Sequence, residues 1–471
     1  MTTPTHIPHD KPDPSGWSPD SWRSRLDPQQ VLYPDREAVE RAVLKLRSLP
    51  PLVTSFEIEK LKAQIAEAQR GNRFLLQGGD CAERLDDCRP ERITSRLKIL
   101  LQMSLVLVHG LGKPVVRVGR FAGQYAKPRS SLTETQSVSG SPVTLPSYFG
   151  DLVNAEAFDE RSRTPDPHMM VRGYQHAAMT INFIRALIDG GFADLHHPEY
   201  WDLSFLGSAA LSPDSRRLYE SMSRELASAL RFMENLGEKA VDDLTRVDFF
   251  TSHEGLNLLY ESAQTRTVPR RTGHYNLTTH LPWIGERTRA LAGAHVEYFR
   301  GIRNPVGVKI GPKADPDEVV ELIRTLNPGA EPGRLVLIVR MGVRDVASKL
   351  PPLLHVVQRA GSPVLWVCDP MHGNTLSTAS GRKTRRVEDI YAELAQTIDI
   401  HAHTGTHLGG VHFELTGEDV TECVGGAAGV TEADLEHNYN TALDPRLNYA
   451  QSLELAFLLS NHLRNSGPQT R

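Results

Sequence analysis

The sequence predicts an α/β fold, a (β/α)8 TIM barrel with an N-terminal helical extension and an inserted helical pair between strands 2 and 3. Three observations support this. Eight short apolar runs each end in polar or glycine-rich residues, helical patterns fill later intervals, and one interval is far too long for a single helix. At 471 residues the chain also exceeds the roughly 250 that such a barrel needs, which leaves room for additions.

Up to about residue 36 the chain is rich in Pro, Asp and Ser and reads as an ordered arm at best, or a disordered tail. Arg36 to Arg47 and Ser55 to Arg70 then carry apolar residues at helical spacing. Val39, Ala42, Val43 and Leu46 serve the first, Ile58, Leu61 and Ile65 the second, and Pro50-Pro51 breaks the chain between them. Residues 1–72 are therefore expected to form the arm and extension, and residues 73–471 the barrel.

The eight runs follow in order. Phe74-Leu75-Leu76 leads to QGGDCAE, Pro114-Val115-Val116 to RVGRFAGQYAKPRS, Val247-Asp248-Phe249-Phe250 to TSHE, and His280-Leu281-Pro282-Trp283-Ile284 to GERTR. Val306-Gly307-Val308 ends in Lys309, and Leu335 to Val339 in Arg340-Met341-Gly342. Val364-Leu365-Trp366-Val367 leads to CDPMHGNT, and Val411-His412-Phe413 ends in Glu414. Asp315 to Leu326 and Arg344 to Ala360 read as helices. About 125 residues part the second and third runs, against roughly 30 for a βα unit. Tyr174 to Ile188 and Ser212 to Leu236 are amphipathic there, the second opening on Ser212-Pro213, an N-cap followed by proline at the first helical position. The insert, at about 172–240, is either barrel cladding or an interface for subunits or effectors.

Composition narrows the function. Apolar residues make up 39%, charged residues 23%, and the net charge is −4, which fits neither a disordered chain nor a basic footprint for nucleic acid. The N-terminus lacks a basic start and apolar core of a secretory signal, and no run of about 18 apolar residues exists for a membrane span. A cytoplasmic protein with no membrane partner is expected. Four cysteines, Cys81, Cys88, Cys368 and Cys423, do not make a disulfide framework in so large a chain. Cys81 reads as the chemical one and the other three as structural thiols.

Residues fit to hold a metal fall at strand ends: Cys81 after the first, His372 after the seventh, Glu414 at the eighth, and Asp444 in DPRLN beyond it. Mixed S, N and O donors suit Mn, Co, Zn or Fe, whereas Mg or Ca would not choose a thiolate. His401, His403 and His407 have a metal-like rhythm but precede the eighth strand and read as structural. Arg120, Lys127, Arg129, Arg287, Lys309 and Arg340 also sit at or just after strand ends and describe an anion-binding mouth. Such a mouth suits two phosphorylated small molecules. Aldol chemistry, isomerisation and phosphate-ester hydrolysis all stay open at this point.

QGGDCAE, RVGRFAGQYAKPRS, WIGERTR, NPVGVKIGP, VRMG, DPMHGNT, GGVHFELTGEDVTEC and DPRLNYAQSLELAF, in that order from about residue 70 to 463, resemble the motif series of the class II, plant-type 3-deoxy-D-arabino-heptulosonate 7-phosphate (DAHP) synthases. The resemblance implies condensation of phosphoenolpyruvate with erythrose 4-phosphate and water, the opening step of the shikimate pathway. It makes Cys81, His372, Glu414 and Asp444 the ligands of one divalent metal ion, with Mn favoured. It assigns phosphoenolpyruvate to Arg120, Glu286 through its backbone, Arg287, Lys309 and Arg340. Erythrose 4-phosphate falls to Lys127, Pro128, Arg129 and Ser130, with Asn154. Lys309 is the expected proton donor to the new alkoxide, with Glu414 or Lys309 orienting the water. The family further implies a homodimer or homotetramer, a chorismate mutase partner, and aromatic amino acids as effectors acting on the helical additions.

Four positions depart from the family pattern: Leu443 for Cys, Phe149 for Arg, Leu408 for Pro and Asp419 for Asn. None removes an expected ligand, though Leu443 takes away a partner for Cys81 in any redox switch. Three rivals stand beside the synthase: a related enzyme taking an amino-sugar phosphate, a silent barrel acting as metabolite sensor or as partner of a chorismate-processing enzyme, and a metal-dependent phosphohydrolase.

Overall fold

Each of the eight apolar runs becomes one strand of a closed parallel barrel. The structure is a computed structural model that describes residues 16–190, 202–207, 209, 211–235, 248–441 and 443–466. The strands are β1 (Phe74–Gly79), β2 (Val115–Arg120), β3 (Phe249–Glu254) and β4 (Leu281–Ile284), then β5 (Val306–Ile310), β6 (Leu335–Val339), β7 (Leu365–Cys368) and β8 (Leu408–Glu414). They close in sequence order, β8 pairing with β1. Val247, expected at the start of β3, lies outside the described residues, as do Leu236 and residues 191–201, 208 and 210 between the two inserted helices.

Alternation within the strands explains both the barrel filling and its cladding. Leu75, Val116, Val118, Phe250, Leu281, Trp283, Val336, Ile338, Leu365 and Val367 form the inner cluster. Their neighbours of opposite parity, among them Phe74, Leu76, Val115, Val306, Val308, Leu335, Leu337, Val411 and Phe413, pack outward in the cluster shared with the helices. Strands buried on both faces read as continuous apolar runs, so their inner and outer faces separate only in three dimensions.

Besides the short helices Glu160–Arg163 and Leu258–Ala263, the helices among the described residues are α1 (Arg36–Ser48), α2 (Ser55–Gln69), α3 (Pro90–Leu111), α4 (His168–Asp189) and α5 (Pro213–Asn235), then α6 (Ala294–Phe299), α7 (Pro316–Leu326), α8 (Val346–Ala360), α9 (Val387–His403) and α10 (Tyr449–Ser466). Side chains cap several helix starts, Ser212 as expected. Asp35 accepts from Ala38 N–H at α1, Ser212 Oγ from Ser215 N–H at α5, and Asp315 from Asp317 and Glu318 N–H at α7. At α2, Thr54 and Glu57 form a capping box. Leu61, Ile65 and Ala68 of α2 belong to the inner cluster, so this helix plugs the end of the barrel where β1 begins. Both inserted helices pack on α3, and beyond it they diverge: α4 packs on α1, and α5 on α10.

One feature decides between two sequence readings and a second goes beyond them. The described part of the N-terminal arm is ordered, because its two tryptophans act as anchors. Trp17 and Trp22 are buried, and the Trp17 indole N–H donates to the Glu297 carbonyl at 2.9 Å. The long interval between β2 and β3 also opens, ahead of the inserted helices, with an antiparallel hairpin, Thr133–Val138 against Ser141–Pro146, whose polar sequence gives no alternating signal.

Candidate active site

Strand parity selects the side chains that reach the mouth. Arg120 continues the inward phase of Val116 and Val118, Glu254 that of Phe250, and Glu414 that of His412. Lys309 has the parity opposite to outward-facing Val308 and Ile310. Glycine at 307 makes room for Trp283, since a Cβ there would lie 2.7 Å from that of Trp283. The Trp283 ring then faces Arg120, whose guanidinium carbon lies 5.2 Å from its centroid, and Lys309, whose Nζ lies at 5.9 Å.

At the C-terminal ends of the strands a cavity of about 490 Å³ opens. Cys81, Arg120, Lys127, Pro128, Glu286, Arg287, Lys309, Arg340, His372 and Asp444 of the expected set line it. Glu414 lies beneath the lining, fully buried. Ser130 stands beside it through a 3.2 Å bond from Arg287. Arg129 instead turns to Glu134 of the hairpin at 2.6 Å. Asn154 lies off the cavity: its amide donates to the Ser147 and Arg163 carbonyls and its oxygen accepts from Phe149 N–H. Phe149, at one departing position, is buried in an apolar cluster with Ala126 and Val153.

The metal-ligating candidates converge. Cys81 Sγ and carboxylate oxygens of Glu414 and Asp444 all lie within 4.8 Å of one another, and His372 Nε2 lies 3.0 Å from Glu414 Oε1. His372 Nδ1 is 2.8 Å from Asp369 Oδ2; with the proton on Nδ1, that carboxylate fixes the ring and leaves the Nε2 lone pair facing the other donors. One thiol, one imidazole and two carboxylates suit a borderline divalent cation. The electrostatics fit as well. Burial, with Glu414 next, pushes the Cys81 thiol up to about 12 against the pull of Lys127, so its thiolate needs a cation at the sulfur. Lys127 Nζ supplies positive charge there, 2.6 Å from Sγ and 2.8 Å from Asp444 Oδ2.

Glu414 is the hub. Burial alone would raise its pKa, but His372, Arg385, Lys127 and Arg120 outweigh it and hold the carboxyl well below the usual range. Arg120 reaches Oε1 at 3.1 Å and Arg385 reaches Oε2 at 2.7 Å. Arg120 is also held by His412 Nε2 at 2.8 Å and the Cys81 carbonyl at 3.0 Å. Lys309 ion-pairs with Asp369, yet burial outweighs the pair and lowers its pKa from 10.5 to about 8, a bias of about 3 kcal/mol toward the neutral amine.

Three functional neighbours were not singled out from the sequence. Asp369 lies inside the DPMHGNT motif, and its position before His372 was a usable signal. Lys383, which meets Asp444 Oδ1 at 2.9 Å, lies in the two-residue strand Lys383–Thr384 that pairs with Leu376–Ser377, and Arg385 follows it directly. No apolar barrel run leads to them, so no local pattern could have found them.

Beyond the geometry, a model of the Class-II DAHP synthetase family matches residues 17–460. A phospho-2-dehydro-3-deoxyheptonate aldolase of Neurospora crassa is 47% identical, over 96% of this chain and 95% of its own length. The Streptomyces coelicolor protein of that name is 48% identical over 94% of this chain and 97% of its own. A Mycolicibacterium smegmatis relative is 44% identical, over 99% and 100% respectively.

Proposed function

Because the chain belongs to the Class-II DAHP synthetase family, we propose that its barrel mouth is where phosphoenolpyruvate and erythrose 4-phosphate meet. The protein is a 3-deoxy-7-phosphoheptulonate synthase: it joins these substrates with water, giving DAHP and inorganic phosphate, the first step of the shikimate pathway. One observation carries the assignment to this site: donors from the ends of β1, β7 and β8 and from the loop beyond β8 converge on a cavity lined by Arg120, Arg287, Lys309 and Arg340.

Enzymes of this family are generally metal-dependent, and Cys81, His372, Glu414 and Asp444 would hold the ion, one of Mn, Co, Zn or Fe with Mn favoured. When bound, it supplies a Lewis acid that polarises the aldehyde of erythrose 4-phosphate. Arg120, Arg287, Lys309, Arg340 and the Glu286 backbone N–H hold the phosphate and carboxylate of phosphoenolpyruvate. Lys127, Pro128, Arg129 and Ser130 form the erythrose-phosphate side, and Asn154 serves it by fixing the Ser147–Phe149 loop behind it. The C3 carbon of phosphoenolpyruvate attacks the aldehyde carbon. Lys309, poised near neutrality, passes a proton to the oxygen that was the carbonyl. Neither the amino-sugar enzyme nor the silent barrel finds support, and the curated relatives carry the aldolase name.

A homodimer or homotetramer is proposed from Leu32, Leu44 and Phe56, large apolar side chains left exposed on the arm, α1 and α2. A chorismate mutase partner and aromatic effectors are proposed on family membership alone. No helix among the described residues is long and apolar enough to cross a membrane, and a cytoplasmic setting is proposed. Incubation of metal-loaded protein with both substrates, read by mass spectrometry and phosphate release, tests the reaction. DAHP and phosphate in equal amounts support it; phosphate formed without aldehyde would mean a phosphohydrolase.

A further inference from the structure

Every carboxylate at the mouth but one is committed to a partner, among the described residues. Glu414 serves Arg120, Arg385 and His372. Asp444 serves Lys127 and Lys383, Asp369 serves Lys309 and His372, and Glu286 takes the Gly311 N–H at 2.6 Å and pairs with Arg289. Glu254, the last residue of β3, lines the same cavity, and its buried Oε1 has no hydrogen-bond partner. A purely structural buried carboxylate is normally paired.

The placement of Glu254 is built by its neighbours. Its backbone N–H donates to Gln124 Oε1 at 2.9 Å, and Gln124 is itself anchored to the Ala126 carbonyl at 3.0 Å. Opposite stands Gly285, where a Cβ would fall 2.0 Å from Glu254 Oε1. Only glycine there lets the carboxylate lie against the turn that carries Glu286 and Arg287. Burial raises its pKa, against the opposing pull of Lys127, His295, Lys309 and His372. A free lone pair, a fixed backbone and a basicity lifted by burial are the attributes of a general base.

We propose that Glu254 is the base that takes a proton from the water attacking C2, a proposal that rests on the synthase reading above. After C3 of phosphoenolpyruvate has bonded to the aldehyde carbon and Lys309 has protonated the new alkoxide, C2 is electron-poor. The water oxygen bonds to C2 as one of its protons passes to a Glu254 oxygen. The C2–O bond to phosphate then breaks, its electron pair leaving with the phosphate, while the remaining hydroxyl proton goes to that phosphate and C2 becomes the ketone. Glu254 has gained one proton and Lys309 has lost one, so transfer between them through solvent restores both. Glu414 oxygens are already committed to Arg120, Arg385 and His372.

The test uses full-length, metal-loaded enzyme and Glu254→Gln, which keeps shape and removes basicity. Expected is a fall in kcat of about 100-fold or more, with phosphoenolpyruvate binding, measured calorimetrically without aldehyde, within about threefold of wild type. Glu254→Ala should be equally slow and regain at least about tenfold in rate as formate is added, a response that a structural carboxylate would not give. A Glu254→Gln kcat within about threefold of wild type would overturn the proposal. So would a loss of binding that accounts for the whole loss of rate, or an alanine variant indifferent to formate. Should Glu254→Gln fail to fold, the formate response decides alone. Wild-type enzyme that makes no DAHP would sink the synthase reading itself, whereas a fast Glu254→Gln beside an active wild type removes only this role.

Discussion

Lys309 and Arg385 show how burial sets the task of a side chain. Lys309 is deprived of water, and Asp369 offsets only part of that loss. Its donor form is present below the lowered pKa of about 8 and is lost as pH rises through it, so kcat should fall above about pH 8. Lys309→Met should cost at least about 100-fold in kcat and remove that limb of the pH–rate profile; near-wild-type turnover would show that another group gives the proton. Arg385 is completely buried and pairs with Glu414 at 2.7 Å. Arg385→Met should weaken metal affinity by about 10–100-fold, read by titrating chelator-treated protein with Mn. Lys309 was legible because it closes an apolar run at a strand end. Arg385 was not, since only the folding of the segment after β7 brings it under the barrel mouth.

At the scale of elements, the loops after β1 and β8 are tied to one another by buried ions. Arg446 joins Asp80, in the loop after β1, to Glu422, in the loop after β8, at 2.5 and 2.7 Å; Arg96 of α3 takes the other Asp80 oxygen at 2.5 Å. Removing one partner strands the others, so Arg446→Met should lose about 3–5 kcal/mol of stability and disturb Cys81 with it, visible as a lowered melting temperature and weaker metal binding. Thr54→Ala makes a useful contrast. It opens the capping box of α2 at the far end of the barrel and should cost about 1 kcal/mol by denaturant titration while kcat stays unchanged. The barrel strands were readable because both of their faces are buried, which writes them as apolar runs. The hairpin at Thr133–Val138 escaped because its residues are mostly exposed, and the arm was left open between order and disorder because its composition does not show that two tryptophans anchor it.

Taken whole, the barrel gathers chemistry that lies 363 positions apart in the chain, from Cys81 to Asp444. The helical additions work elsewhere: α2 closes the opposite end, while the arm reaches the mouth side, where Gln29 binds the Arg129 backbone through both its amide oxygen, at 2.7 Å, and its amide nitrogen, at 3.2 Å. Sedimentation of the purified protein should give a dimer or tetramer rather than a monomer, and polar replacement of Leu44 and Phe56 should shift it toward smaller species. The most direct test of a metal-dependent synthase follows the ultraviolet absorbance of phosphoenolpyruvate on chelator-treated protein, with and without erythrose 4-phosphate, as Mn, Co, Zn or Mg is returned. Loss of absorbance that requires the aldehyde and is restored by a transition metal is the predicted result. Loss without aldehyde, or aldehyde-dependent loss undiminished by chelation, would contradict it.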